Sequence, residues 1–174
     1  MLAPSQVRAL YQYNERVFDR FAHRVRHLGW SSARKDRGIG HGSLFGTLVH
    51  ILNVEEVWIG YILQGRNSDA ELEALFRDPV RKPKDWAGFA RYRRRVRGIV
   101  ANYMGHLDTR KLATPVHVFW MPGRYTASDG LLQVTIEQAH HLGEIIGACW
   151  QQGLEPPEMT WIRVSTSVRS ARSG

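Results

Sequence analysis

Apolar residues recur every three to four positions along four long stretches, and this periodicity constrains the fold more than any other feature. The first stretch runs from Ser5 to about His27, after a Pro-Ser pair that suits a helix start. The second begins at Ser43, a residue type that caps helices, and reaches about Leu63. Because the second stretch is apolar on nearly every side, it predicts a centrally buried helix.

Two more long helices are predicted in the second half of the chain. One runs from about Asp85 to His106, and the other starts at Thr126 or Ser128 and extends to about Gln152. Between them, a Val-His-Val-Phe-Trp run, a Met-Pro-Gly turn and an Arg-Tyr-Thr run predict a short β-hairpin.

The connection between the second and third long helices is itself long enough to change the topology. It contains a short helix, since Ser68 and Glu71 have the spacing of a capping box. The sequence therefore predicts an all-α fold: a four-helix bundle with a crossover connection and a short β-hairpin before the last helix. We expect one domain over residues 1–164 and a loose basic tail over residues 165–174.

Composition narrows the class of protein further. Hydrophobic residues make up 43% of the chain and charged residues 23%, which is typical of globular rather than disordered proteins. No apolar run approaches the roughly 18 residues needed to cross a bilayer, and we expect no membrane partner. The start of the chain lacks the layout of a signal peptide, and Cys149 is the single cysteine. We therefore expect a cytoplasmic protein without an internal disulfide.

The net charge of +8 would attract nucleic acids and small anions alike. The densest run of positive charge, from Arg91 to Arg97, falls inside a predicted helix and points in several directions. A solvated face and an anion-binding face both fit that pattern.

Histidines and glutamates on two of the predicted helices could carry chemistry. His50 lies in an apolar stripe of the second long helix, where an imidazole is costly unless its nitrogens find partners. On the fourth long helix, Glu137 and His141 are one turn apart and can hold one ion together. His140, rotated by about 100° from His141, can pair instead with Glu144. The spacing does not choose between these two pairs.

Two segments resemble the DinB family, also described as DinB/YfiT-like metalloproteins. One is Leu-Val-His50-Ile-Leu-Asn-Val-Glu-Glu-Val-Trp58, which is similar to the family's histidine-bearing second helix. The other is Glu137-Gln-Ala-His140-His141-Leu-Gly-Glu144-Ile, which is similar to the family's last helix, where two histidines are four residues apart. The resemblance covers about residues 5 to 153. It implies a metal held by His50, Glu137 and His141, with a glutamate where the family commonly has a histidine.

The resemblance also implies a function. It points to a metal-dependent hydrolase or a small-thiol-dependent transferase, with zinc or nickel as the metal; iron and manganese also suit two histidines and a carboxylate. Glu144 and His140 are then candidates for proton transfer or for orienting the ligands, and the substrate is a small molecule, such as an anionic thiol. A homodimer is expected from the family. The alternatives are a non-catalytic metal- or ligand-binding bundle and, less favoured, a nucleic-acid-binding stress protein, for which no recognition motif is present.

Overall fold

The computed structural model describes residues 2–66, 68–118 and 120–164, and its regular structure is almost entirely helical. The all-α class predicted from the periodicity is therefore confirmed. Four helices are long: α1 Pro4–His27, α3 Leu44–Gly60, α5 Trp86–Gly105 and α7 Ala127–Trp150. Three are short: α2 Trp30–Arg34, α4 Asp69–Arg77 and α6 Thr109–Leu112. The tail predicted over residues 165–174 lies outside the described residues.

The hairpin predicted before the last helix is also confirmed. Strands β1 Pro115–Val116 and β2 Tyr125–Thr126 pair antiparallel, with Val116 opposite Tyr125. No described helix is both long and apolar enough to cross a membrane.

Two sequence predictions about helix extent were wrong. The glycines and charged residues that follow Gly29 predict a loop, but this segment contains the five-residue α2. The second long helix was expected to reach Leu63, but it ends at Gly60 and continues as a separate 3-10 turn. The 3-10 turn ends at Gly65, whose φ of 70° is a left-handed conformation that suits glycine.

The described chain divides into two compact units, whose boundaries fall within α1, α3 and α7. The first unit comprises the residues up to Val7 together with Val49–Glu137. The second comprises Arg8–Leu48 and the residues from Gln138 onward.

The first unit contains a buried ion network centred on Glu56, which is 0% exposed. Nε of the buried Arg81 lies 2.9 Å from Oε2 of Glu56, and the hydroxyl of Tyr92 donates to the same oxygen. Nε of Arg95 approaches Oε1 to 2.8 Å, outside hydrogen-bond geometry, and Arg95 also pairs with Asp78. Burial, reinforced by the nearby Glu56, raises the pKa of Tyr92, so the phenol keeps its proton and can donate.

The same network shows what one part of the arginine-rich run does. Arg95 is engaged inside the first unit, whereas Arg91, Arg94 and Arg97 are exposed. The run therefore includes an arginine that contacts a buried carboxylate as well as arginines that are exposed.

Apolar residues and a buried hydrogen bond stabilise the second unit. Nε2 of Gln138 donates to the backbone carbonyl of Asn14 at 2.8 Å, which satisfies a buried amide on α7. The buried apolar residues of this unit include Phe21, Val25, Leu44, Leu48, Leu142 and Ile145.

Replacement of Asp85 by alanine is expected to lower the free energy of unfolding by about 1 kcal/mol. The Asp85 carboxylate accepts a hydrogen bond from the backbone N–H of Gly88 at 2.6 Å and so caps the start of α5. Urea unfolding of Asp85→Ala, beside the exposed control Lys84→Ala, measures the effect. Equal stability of the two variants would show that the cap contributes nothing.

Candidate functional site

A glycine-rich loop before α3 carries His41. The loop turns sharply. The N–H of Arg37 donates to the carbonyl of Gly42 at 2.7 Å, and the N–H of Gly42 donates to the carbonyl of Ile39. Ser43 then caps α3 as predicted, since its hydroxyl accepts from the N–H of Gly46 at 3.0 Å. His41 is thereby held, largely exposed, at the start of a helix.

Gly46 allows the His41 segment to lie against the first turn of α3. A Cβ added at Gly46 would be only 2.4 Å from the carbonyl oxygen of His41. Any larger residue at position 46 would therefore displace the backbone that positions His41.

His141 is buried on α7, with only 7% of its surface exposed. Its Nδ1 lies 3.0 Å from Oε2 of Glu144, and its ring meets the ring of His41 edge-on with centroids 4.9 Å apart. A carboxylate beside Nδ1 favours the tautomer in which Nδ1 carries the proton. Nε2 of His141 is then the nitrogen with a lone pair for a metal ion.

Glu144 connects His141 to the loop that carries His41. Its Oε1 accepts a hydrogen bond from the backbone N–H of Gly40 at 3.3 Å. Partial burial raises the pKa of Glu144, but the hydrogen bonds with His141 and Gly40 outweigh it and hold that pKa below its usual value. A Cβ at Gly40 would lie 2.9 Å from Oε1, so glycine permits this close approach.

His140 is exposed and joins the same cluster. Its ring centroid lies 4.9 Å from that of His141. One ligand atom each from His140, His141 and Glu144 can be chosen so that all lie within 4.8 Å of one another. The structure therefore brings both predicted proton-transfer residues, His140 and Glu144, next to the predicted ligand His141.

The other two predicted ligands belong to the first unit. His50 is half-buried on α3 and lines a cavity together with Asn53 and Val54. Glu137, on α7, accepts a hydrogen bond from Nε2 of Gln133 at 2.9 Å. Glu137 is in neither of the two groups of clustered ligand atoms found among the described residues.

The histidine–glutamate pair that forms on α7 is neither of the two pairs that the four-residue spacing suggested. The alternatives were Glu137 with His141 and His140 with Glu144, each four residues apart, whereas the hydrogen bond joins His141 to Glu144, three residues apart. Residues three apart are also neighbours on a helix face, so the spacing contained this signal. The sequence places His41 in a loop, and the glycines on either side of it are the sign of a tightly positioned segment.

The donors in the second unit suit a divalent metal ion. Imidazole nitrogens and a carboxylate match zinc and nickel, and a carboxylate hydrogen-bonded to a ligating histidine is the usual outer partner of such sites. The cluster is thus a histidine-rich site that fits a divalent cation.

Comparison with known proteins places the chain in a family. The family model of the DinB superfamily matches residues 13–145, which is more than two thirds of the 174 residues. No curated protein matches the chain significantly.

Proposed function

Because the chain belongs to the DinB superfamily, we propose that it is a metal-dependent enzyme whose divalent ion binds to the imidazoles of His41 and His141, with His50 as the further ligand that the family resemblance implies. The reaction is either hydrolysis or the transfer of a small thiol.

The observation that carries the proposal is the pairing of His141 with Glu144. His141 is only 7% exposed, and the contact of its Nδ1 with the Glu144 carboxylate at 3.0 Å fixes the orientation of the ring. The neighbouring ring of His41 offers further nitrogen donors close to His141. A metal ion on Nε2 of His141 would use the orientation that Glu144 and Gly40 already impose.

His50 enters the proposal through the family resemblance and through its place on α3. The helix begins three residues after His41, and His50 lies in its second turn. Glu137 is the competing third ligand, because the resemblance aligns it with a family histidine. We favour His41 over Glu137, since His41 contacts His141 whereas the Glu137 carboxylate is hydrogen-bonded to Gln133.

The bound ion would supply a water of lowered pKa or would hold a substrate thiol as its thiolate. The protein groups have separate tasks. Glu144 accepts a hydrogen bond from Nδ1–H of His141 and fixes the ring, so it acts as a positioning residue. His140 is exposed beside His141 and is placed to exchange protons with solvent at the rim of the site.

Removal and return of the metal tests the proposed function. The protein is stripped with a chelator, reloaded separately with zinc, nickel, iron(II) or manganese, and assayed against panels of thiol-transfer and of ester and amide hydrolysis substrates. We expect one panel to be turned over only after reloading. His141→Ala should abolish that turnover, and the exposed control His106→Ala should keep it. Turnover that survives chelation, or no turnover with any loaded metal, would refute the enzyme assignment.

A further inference from the structure

A cavity in the first unit has the size and lining of a small-molecule site. Its volume is 510 Å³, within the range of roughly 300 to 1,000 Å³ that is usual for ligand pockets. Most of its wall is apolar or aromatic, formed by Val54, Val57, Trp58, Phe76 and Trp120.

Two of the aromatic residues in this wall are open to solvent. Phe76 is 50% exposed and Trp120 is 46% exposed, although both are large apolar side chains. The ring of Trp120 meets the ring of Trp58 edge-on, with centroids 5.9 Å apart. Exposed aromatic surface grouped around a cavity marks a place where a flat apolar body gains by leaving water.

The charged residues that line the cavity indicate which polar group a ligand would carry. Arg81 and Lys82 are its charged members, and no aspartate or glutamate is among the described lining residues. The charge of Arg81 is balanced by Glu56 at 2.9 Å, and its guanidinium also donates to the carbonyl of Asn53. The exposed ammonium of Lys82 therefore supplies the uncompensated positive charge of the wall.

We propose that this cavity binds a small organic anion with a flat aromatic body, such as an aromatic carboxylate. The body lies against the aromatic wall formed by Trp58, Trp120 and Phe76, and the anionic group pairs with Lys82. His50 is part of the same wall, so the ligand would lie next to a proposed metal ligand. The ligand's role as a substrate rests on the proposed function, whereas its binding in the cavity does not.

Calorimetric titration with two probes of the same shape tests the inference: 2-naphthoate, which is anionic, and 2-naphthalenemethanol, which is neutral. We expect the native protein to bind the naphthoate about fivefold more tightly, the size expected for one partly exposed ion pair. Lys82→Ala should remove that difference, and the exposed Lys84→Ala, outside the cavity lining, should keep it. Trp120→Ala should weaken the binding of both probes.

Equal affinity for the two probes, no binding of either, or the same response of Lys82→Ala and Lys84→Ala would overturn the inference. Metal content is measured in the same preparations, which separates this inference from the proposed function. Metal-free protein that still prefers the naphthoate would contradict the metal site alone. Metal-loaded protein without that preference would contradict the cavity ligand alone.

Discussion

Replacement of Glu56 by alanine is expected to lower the free energy of unfolding by about 3–5 kcal/mol, the cost of breaking a buried ion pair by removing one partner. Glu56 is fully buried and faces two guanidinium groups, those of Arg81 and Arg95. Without the carboxylate, the buried Arg81 keeps its charge but loses the group that compensates it. The hydroxyl of Tyr92 also loses an acceptor.

Urea unfolding measures this loss, and a surface ion pair provides the control. Glu73 pairs with Arg77 at 3.0 Å, but both side chains are more than half exposed. Glu73→Ala should therefore change the stability by no more than about 0.5 kcal/mol. Similar losses in Glu56→Ala and Glu73→Ala would show that the buried network contributes little more than a solvated pair.

Replacement of His141 by alanine is expected to weaken zinc binding by at least about 100-fold. Loss of a group that only hydrogen-bonds to a metal ligand already lowers metal affinity about 10- to 100-fold, and loss of the ligand itself should cost at least as much. His141 would offer Nε2 to the ion from a ring that Glu144 already orients. Competition with a chromogenic chelator measures the affinity of native and variant protein.

Glu144→Gln gives the graded comparison. The amide cannot match a carboxylate as acceptor for Nδ1 of His141, so we expect a loss of about tenfold with the fold intact. His106→Ala, which removes an exposed imidazole on the other unit, should leave zinc affinity unchanged. Native affinity in His141→Ala would exclude His141 as a ligand.

The long helices could be predicted from the sequence because their apolar spacing is regular and their ends carry recognisable caps. Ser43, Asp85 and the Ser68–Glu71 pair all lie at the predicted starts. The orientation of α7 was predicted less well. On a helical wheel of α7, Ile136 falls in the apolar half, but it is 62% exposed, whereas the polar Gln138 is 3% exposed. A wheel weighs hydrophobicity alone and cannot include the hydrogen bond from Gln138 to the Asn14 carbonyl.

The candidate site was predicted in part for a similar reason. His140, His141 and Glu144 are neighbours in sequence, so helix geometry brings them close without further information. The contribution of the His41 loop depends on a contact between residues 104 positions apart, from Gly40 to Glu144. Local spacing has no signal for such a contact.

X-ray absorption spectroscopy of the zinc-loaded protein counts the imidazole ligands around the ion and so tests directly whether histidines bind the metal. We expect three imidazole nitrogens at about 2.0–2.1 Å from the ion, two supplied by His41 and His141 and the third by His50, as the family resemblance implies. A spectrum with two imidazole nitrogens and a carboxylate oxygen would indicate that Glu137, rather than His41, is the third ligand. A spectrum with one imidazole or none would contradict the histidine site itself.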